Sequence, residues 1–147
     1  MSLTALNSSV LTPARKLWTP HGSGIWTIID DEHFPWIVEN SWNARVGGTR
    51  YSRHKLYVKR NVGEDRKPIY LHRAILMRAD PKPDWFMQSH VVDHINGQTL
   101  DNRVCNLRWA NHSENAKNAI PKRQIPSVLW IWRNFCVDAT LVEECPF

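Results

Sequence analysis

Long apolar stretches are missing from this chain. No run approaches the roughly 18 residues that a membrane-crossing helix needs, and residues 1–24 hold no apolar core of the kind a secretory signal requires. No membrane partner is expected. Cysteine is scarce: the three residues Cys105, Cys136 and Cys145 form no Cys-x-x-Cys pair. They cannot all pair with one another, which argues against a zinc ribbon or disulfide scaffold and favours a reducing, cytoplasmic setting. Internal repeats and low-complexity runs are absent, and Trp42 to Arg60 contains no acidic residue.

What is present is a chain of 147 residues, sized for one domain or a compact domain with an appendage. Its 42% hydrophobic content allows a modest core. A net charge of +5 and a pI near 9.4 point to an anionic partner, nucleic acid first. The acid-free run carries Arg45, Arg50, Arg53, Lys55, Lys59 and Arg60, interleaved with Tyr51 and Tyr57. Such a run suits phosphate contact along DNA, although a solvated basic sheet face would look the same. The eight tryptophans read mostly as core, Trp109 above all; Trp130 and Trp132 would cover a face or form a dimer surface.

Residues 1–24, rich in Ser, Thr, Pro and Gly, read as a loose leader whose end, Lys16-Leu17-Trp18, packs or touches a partner. Gly24 to Asp30 reads as a strand. Asp30-Asp31-Glu32 then opens a short helix over 33–40, with Pro35 in its first turn. Trp42–Val46, Thr49–Tyr51 and Lys55–Val58 read as strands of a small antiparallel sheet, with Gly47-Gly48 as a hairpin turn. A polar loop at Glu64–Lys67, a short strand at Pro68–Tyr70 and a helix over 72–78 follow, closed by the linker Asp80-Pro81-Lys82-Pro83.

Beyond the linker, Val91-Val92 and Leu107-Arg108-Trp109 read as paired strands, with a turn at Asn96-Gly97. Asn111 and Glu114 form a capping box for a helix reaching about Ile120, where Pro121 stops it. This strand–loop–strand–helix unit holds Asp93, His94, Asn106 and Asn115. Phosphodiester cleavage needs an activated water, neutralisation at phosphorus and help for the leaving oxygen; one Mg²⁺-like ion supplies the last two. A carboxylate and an amide oxygen suit such a hard cation, and an imidazole suits general base work. Asp93 and His94 would point to opposite faces of a regular strand, so both serve one site only if the strand ends or bulges there. Asn102 and Asn118 compete with Asn115 as ligands. His72, His90 and His112 are further titratable candidates, each with a plain packing or surface reading. His72 and Arg73 open a helix whose N-terminus suits a phosphate.

Residues 69–119 resemble the HNH, or ββα-metal, nuclease motif in its Asn-terminated form, found in phage and intron homing endonucleases. The resemblance is carried by Val-Asp-His-Ile-Asn-Gly from Val92, Leu-Asp-Asn-Arg from Leu100, Asn-Leu-Arg-Trp-Ala from Asn106 and Ser-Glu-Asn-Ala-Lys-Asn from Ser113. It extends upstream through Leu71-His72-Arg73 and Ile29-Asp30-Asp31-Glu32. It implies a catalytic set of His94 as general base, Asp93 and Asn115 on one Mg²⁺ or Mn²⁺ ion, and Asn106 bracing the loop that presents His94. Arg73, Arg103, Arg108 and Lys117 join the basic run as expected DNA contacts. After Pro121 the chain departs from the group, whose AP2-type DNA-binding module is matched only faintly by Ser127–Asn134.

The expected fold is α+β: a small N-terminal antiparallel sheet with short helices at 25–83, then a ββα-metal unit at 84–120, flanked by the leader 1–24 and an extension 121–147. The implied activity is cleavage of double-stranded DNA, by nicking or by a double-strand cut, in a monomer or homodimer encoded by a phage or mobile element. A DNA-binding protein that keeps the fold without cutting is the alternative.

Overall fold

A computed structural model describes residues 14–18, 25–47 and 55–118. The architecture is α+β, with three small antiparallel sheets and short helices. Strand β1 (Ala14–Trp18) pairs with β2 (Trp26–Asp30). The sequence carried no signal for β1, which occupies the end of what read as a loose leader. A single 3₁₀ turn (Asp31–His33) leads into α1 (Phe34–Val38), with Pro35 in the first turn, where its missing N–H costs nothing.

The second sheet has the order β3 (Asn43–Val46), β4 (Leu56–Val62), β5 (Lys67–Tyr70). Val46 pairs with Leu56 and the Gly47 N–H reaches the Lys55 carbonyl at 2.9 Å. The chain therefore rejoins the sheet at Lys55, and Gly47-Gly48 is not a two-residue hairpin turn. The reading of Thr49–Tyr51 as a strand lies outside the described residues. The polar loop is a turn from Gly63, with the Arg66 N–H on the Gly63 carbonyl at 3.2 Å and both residues at positive φ. This sheet is two-faced. Ala44, Leu56 and Val58 are buried on one side, while Arg45, Lys55, Tyr57, Lys59 and Tyr70 share the other by strand alternation and cross-strand pairing.

Helix α2 (Leu71–Ala79) places Leu71, Ile75 and Leu76 in the core beside Ile29, Ile37, Trp42, Leu56, Val58, Leu100 and Leu107. The four-residue helix α3 (Asp84–Met87) follows the linker. Strands β6 (His90–His94) and β7 (Leu107–Asn111) form the third sheet, pairing Asp93 with Arg108 and His94 with Leu107. Helix α4 (His112–Lys117) opens with the expected capping box: Glu114 N–H donates to Asn111 Oδ1 at 2.9 Å, and Asn111 N–H to Glu114 Oε2 at 2.8 Å. Trp109 packs against the core and donates Nε1–H to the Asp80 carbonyl. Cys105 is disulfide-bonded, which runs against the reduced cysteines expected from their number and spacing. No helix among the described residues is long and apolar enough to cross a membrane.

Ile75 is fully buried at the centre of this core. Ile75→Ala should lower unfolding free energy by about 2–5 kcal/mol, read as a fall in the urea midpoint at unchanged slope.

Candidate active site

Strand β6 stops at His94, where the chain turns: the Gly97 N–H donates to the His94 carbonyl at 2.8 Å and Gly97 sits at φ 73°. That ending removes the conflict of strand alternation, and Asp93 and His94 line one cleft of about 320 Å³. The lining also includes Lys55, Tyr57 and Tyr70 from the β3–β5 sheet, His72 from α2, and Asn115 and Asn118 from the α4 end.

The connection from Ile95 to Asn106 is irregular, yet its polar groups are accounted for. Asn106 is fully buried; its Oδ1 accepts the Asn96 N–H at 3.0 Å and its Nδ2 donates to the Asp101 carbonyl at 2.8 Å. Asn96 Oδ1 accepts the Gln98 N–H, and its amide donates to Asp101. From outside, β2 clamps the connection. Ile28 N–H donates to the Leu100 carbonyl at 2.9 Å and Asn102 N–H to the Ile28 carbonyl at 2.8 Å, while Asp30 Oδ2 accepts the Val104 N–H at 2.7 Å. Burial pushes the Asp30 carboxyl above its ordinary pKa, opposed by that backbone hydrogen bond.

The clamp reaches the histidine through side chains. Thr27 Oγ1–H donates to the Leu100 carbonyl at 2.8 Å, so the Thr27 oxygen accepts from Asn102 Nδ2 at 2.7 Å. That orients the Asn102 amide, whose Oδ1 lies 3.0 Å from His94 Nε2. An amide oxygen only accepts, so Nε2 carries the proton and Nδ1 keeps its lone pair. Nδ1 has no hydrogen-bond partner among the described residues. Burial lowers the His94 pKa from its ordinary value; the Asn102 hydrogen bond and the charges of Asp101 and Asp93 oppose it. His72 packs edge-on to His94, with ring centroids 5.0 Å apart.

Asp93 is buried, and its carboxylate accepts from Arg108 Nε at 3.1 Å, Arg108 NH2 at 2.9 Å, and Asn118 Nδ2 at 3.0 and 3.2 Å. The same Asn118 amide donates to the His94 carbonyl at 3.0 Å. Asn118 thus presents N–H groups to Asp93, whereas exposed Asn115 makes no hydrogen bond to a described residue and has its oxygen free. A carboxylate plus one amide oxygen fits a hard cation that fills its shell with water and phosphate. Among the described residues no group of three or more His, Cys, Asp or Glu side chains comes together as a metal cluster.

The expected DNA contacts divide. Arg45, Lys55 and Lys59 lie on the outer sheet face beside the cleft, and Arg73 and Lys117 are exposed on α2 and α4. Arg108 is part-exposed while holding Asp93. Two others turn inward. Arg60 projects from the opposite sheet face, its guanidinium 5.3 Å from the Trp42 ring centroid and bonded to Asn40. Arg103 is 5% exposed and grips fully buried Asp101 through two hydrogen bonds of 2.8 and 2.7 Å, so its charge is spent inside the fold. Arg50 and Arg53, and the faint module at Ser127–Asn134, lie outside the described residues. Sequence reasoning weighed Asn102 only as a rival ligand and missed Thr27 altogether. Thr27 stands 75 residues from Asn102, with no local signal linking them.

Residues 70–117 match the HNH endonuclease family. An uncharacterized HNH endonuclease of Acanthamoeba polyphaga mimivirus is 31% identical over 113 residues, which take in 70% of this chain and 28% of the viral protein. The chain thus matches well under half of that relative's length. No solved structure gives a significant match.

Two outcomes test the site's energetics. Arg103→Ala leaves Asp101 charged and buried, and should cost about 3–5 kcal/mol, whereas Arg45→Ala at the surface should stay within about 0.5 kcal/mol. Urea titration of both variants measures this. The second concerns pH. Burial among rings lowers the His72 pKa well below its ordinary value, with His94 and Arg73 adding to the effect. The unfolded chain then takes up a proton near pH 6.5 that the folded chain refuses. The His72 contribution is complete above the unfolded value and shrinks as pH falls below it. Between pH 7.5 and 5.5, with EDTA present, wild type should lose stability relative to His72→Phe. A constant offset between the two would refute the neutral state of His72.

Proposed function

Because this chain belongs to the HNH endonuclease family through residues 70–117, we propose that it hydrolyses phosphodiester bonds of double-stranded DNA with one divalent metal ion. The observation that carries this reading is the oriented His94, with Nε2–H committed to Asn102 and Nδ1 open beside Asp93. His94 Nδ1 takes a proton from a water in the cleft. The water oxygen attacks phosphorus in line, the bond to the 3′ oxygen breaks, and that oxygen takes a proton from a second water, leaving 5′-phosphate and 3′-hydroxyl ends. Asn102 Oδ1 accepts from Nε2–H throughout, and the carboxylates of Asp93 and Asp101 favour the imidazolium as it forms.

Asp93 and Asn115 would hold the metal. When bound, Mg²⁺ or Mn²⁺ supplies charge neutralisation at the phosphate and the leaving oxygen. Arg108 and Asn118 act on Asp93, keeping its carboxylate aimed at the cleft. Arg45, Lys55, Lys59, Arg73 and Lys117 offer positive charge around the opening, suited to the phosphates of a duplex. One site per chain suits nicking by a monomer; a double-strand cut takes a homodimer or two events. From the resemblance of residues 69–119 to the Asn-terminated HNH motif of phage and intron homing endonucleases, we infer a homing-type enzyme of a phage or mobile intron.

Supercoiled plasmid tests the reading. Wild type should nick with Mg²⁺ or Mn²⁺ and not with EDTA, and His94→Ala should be at least about 100-fold slower. Asn102→Ala should lose about 10-fold or more while Asp93 and Asn115 stay in place. Nicking by His94→Ala at the wild-type rate would sink the mechanism. Wild type that binds DNA but never nicks it with either metal would make the chain a binding protein that kept the fold.

A further inference from the structure

His72 lies in the same cleft as His94 and Asp93 but has no part in the mechanism above. Four rings meet there. Tyr57 and Tyr70 pack edge to face at 5.9 Å, and His72 sits 5.7 Å from Tyr57, 5.5 Å from Tyr70 and 5.0 Å from His94. The ring is held on three sides by aromatic neighbours, and its nitrogens make no hydrogen bond to a described residue. A packing histidine in a finished core ordinarily spends its N–H on a carbonyl or carboxylate. Here the N–H is left over, and the cleft is where the ring can spend it. Asp93, on the wall with His94, supplies negative charge, so the phosphate needs a donor that is close and not itself a competing base.

We propose that His72 is a second catalytic histidine, whose ring N–H donates a hydrogen bond to a non-bridging oxygen of the scissile phosphate. The interaction strengthens as charge builds on that oxygen during attack, so it acts on the rate more than on DNA affinity. No proton is transferred: His94 takes the proton from water, and His72 keeps its own. The crowded rings hold His72 neutral at physiological pH, which leaves one N–H and one lone pair without a second cation beside the imidazolium of His94. The aromatic wall fixes the direction of the N–H, so little reorganisation is needed when the phosphate arrives.

The role rests on the nuclease reading of this site, and the experiment separates the two. Single-turnover nicking of supercoiled plasmid with Mg²⁺ is measured for wild type, His94→Ala, His72→Phe and His72→Gln, with DNA affinity measured in parallel in Ca²⁺. His72→Phe keeps the ring and loses the donor; His72→Gln keeps an N–H and loses the ring. With wild type active and His94→Ala inactive, His72→Phe should be slower by about 100-fold at near-unchanged affinity, and His72→Gln should recover part of the loss. A His72→Phe variant that nicks like wild type makes His72 packing alone and overturns the role, as does equal loss in both variants. Should His72→Phe unfold, His72→Leu against His72→Gln gives the same comparison. No nicking by wild type overturns the nuclease reading, and this role with it.

Discussion

The hydrogen-bond path from β2 into the cleft is the constraint on which the site depends. A histidine at the end of a short edge strand, beside a Gly turn, has no intrinsic reason to hold one orientation or tautomer. Here the Leu100 carbonyl orients the Thr27 hydroxyl, the hydroxyl orients the Asn102 amide, and the amide oxygen claims one imidazole nitrogen. Each step is an ordinary hydrogen bond worth about 1 kcal/mol net. Their joint effect is larger in kind, because buried members left unpaired would each be penalised. Thr27 and Asn102 are almost wholly buried, so the path cannot relax by exchanging partners with water.

The same economy governs the charges. Asp101 is wholly buried, yet Arg103 meets it with a two-point grip and the Asn96 amide adds a third contact. Asp93 is met by Arg108 and Asn118, and the Asn118 amide also reaches the His94 carbonyl. The connection between β6 and β7 is therefore a polar core in miniature, sealed by Leu100 and Leu107 against the apolar one. The basic residues of the β3–β5 sheet split by strand alternation: alternate positions reach the cleft side, and Arg60 is turned to Trp42.

Local chemistry was legible in the sequence where it is local in space. Asn111 and Glu114 announced a capping box because both partners lie within one turn. Asn96-Gly97 announced the turn that ends β6 because a positive φ there favours glycine. The α+β class followed from the spacing of strand and helix patterns. What was not legible depends on distant partners. Strand β1 has no strong pattern of its own and exists by pairing with β2. The inward fate of Arg103 and the service of Asn102 to His94 both require knowing that β2 lies against the connection. Gly47-Gly48 misled because a glycine pair signals a tight turn whether or not the next strand begins at once.

The pairing of β2 with the connection joins residues 73 apart in the chain. Closing so long a loop is entropically costly and is rewarded only when the core between its ends is in place. The cleft therefore has no half-built form: a chain with its N-terminal sheet opened keeps every site residue and yet leaves His94 unaimed. The aim of His94 is thereby made a property of the folded chain, with β2 holding the key to residues made much later.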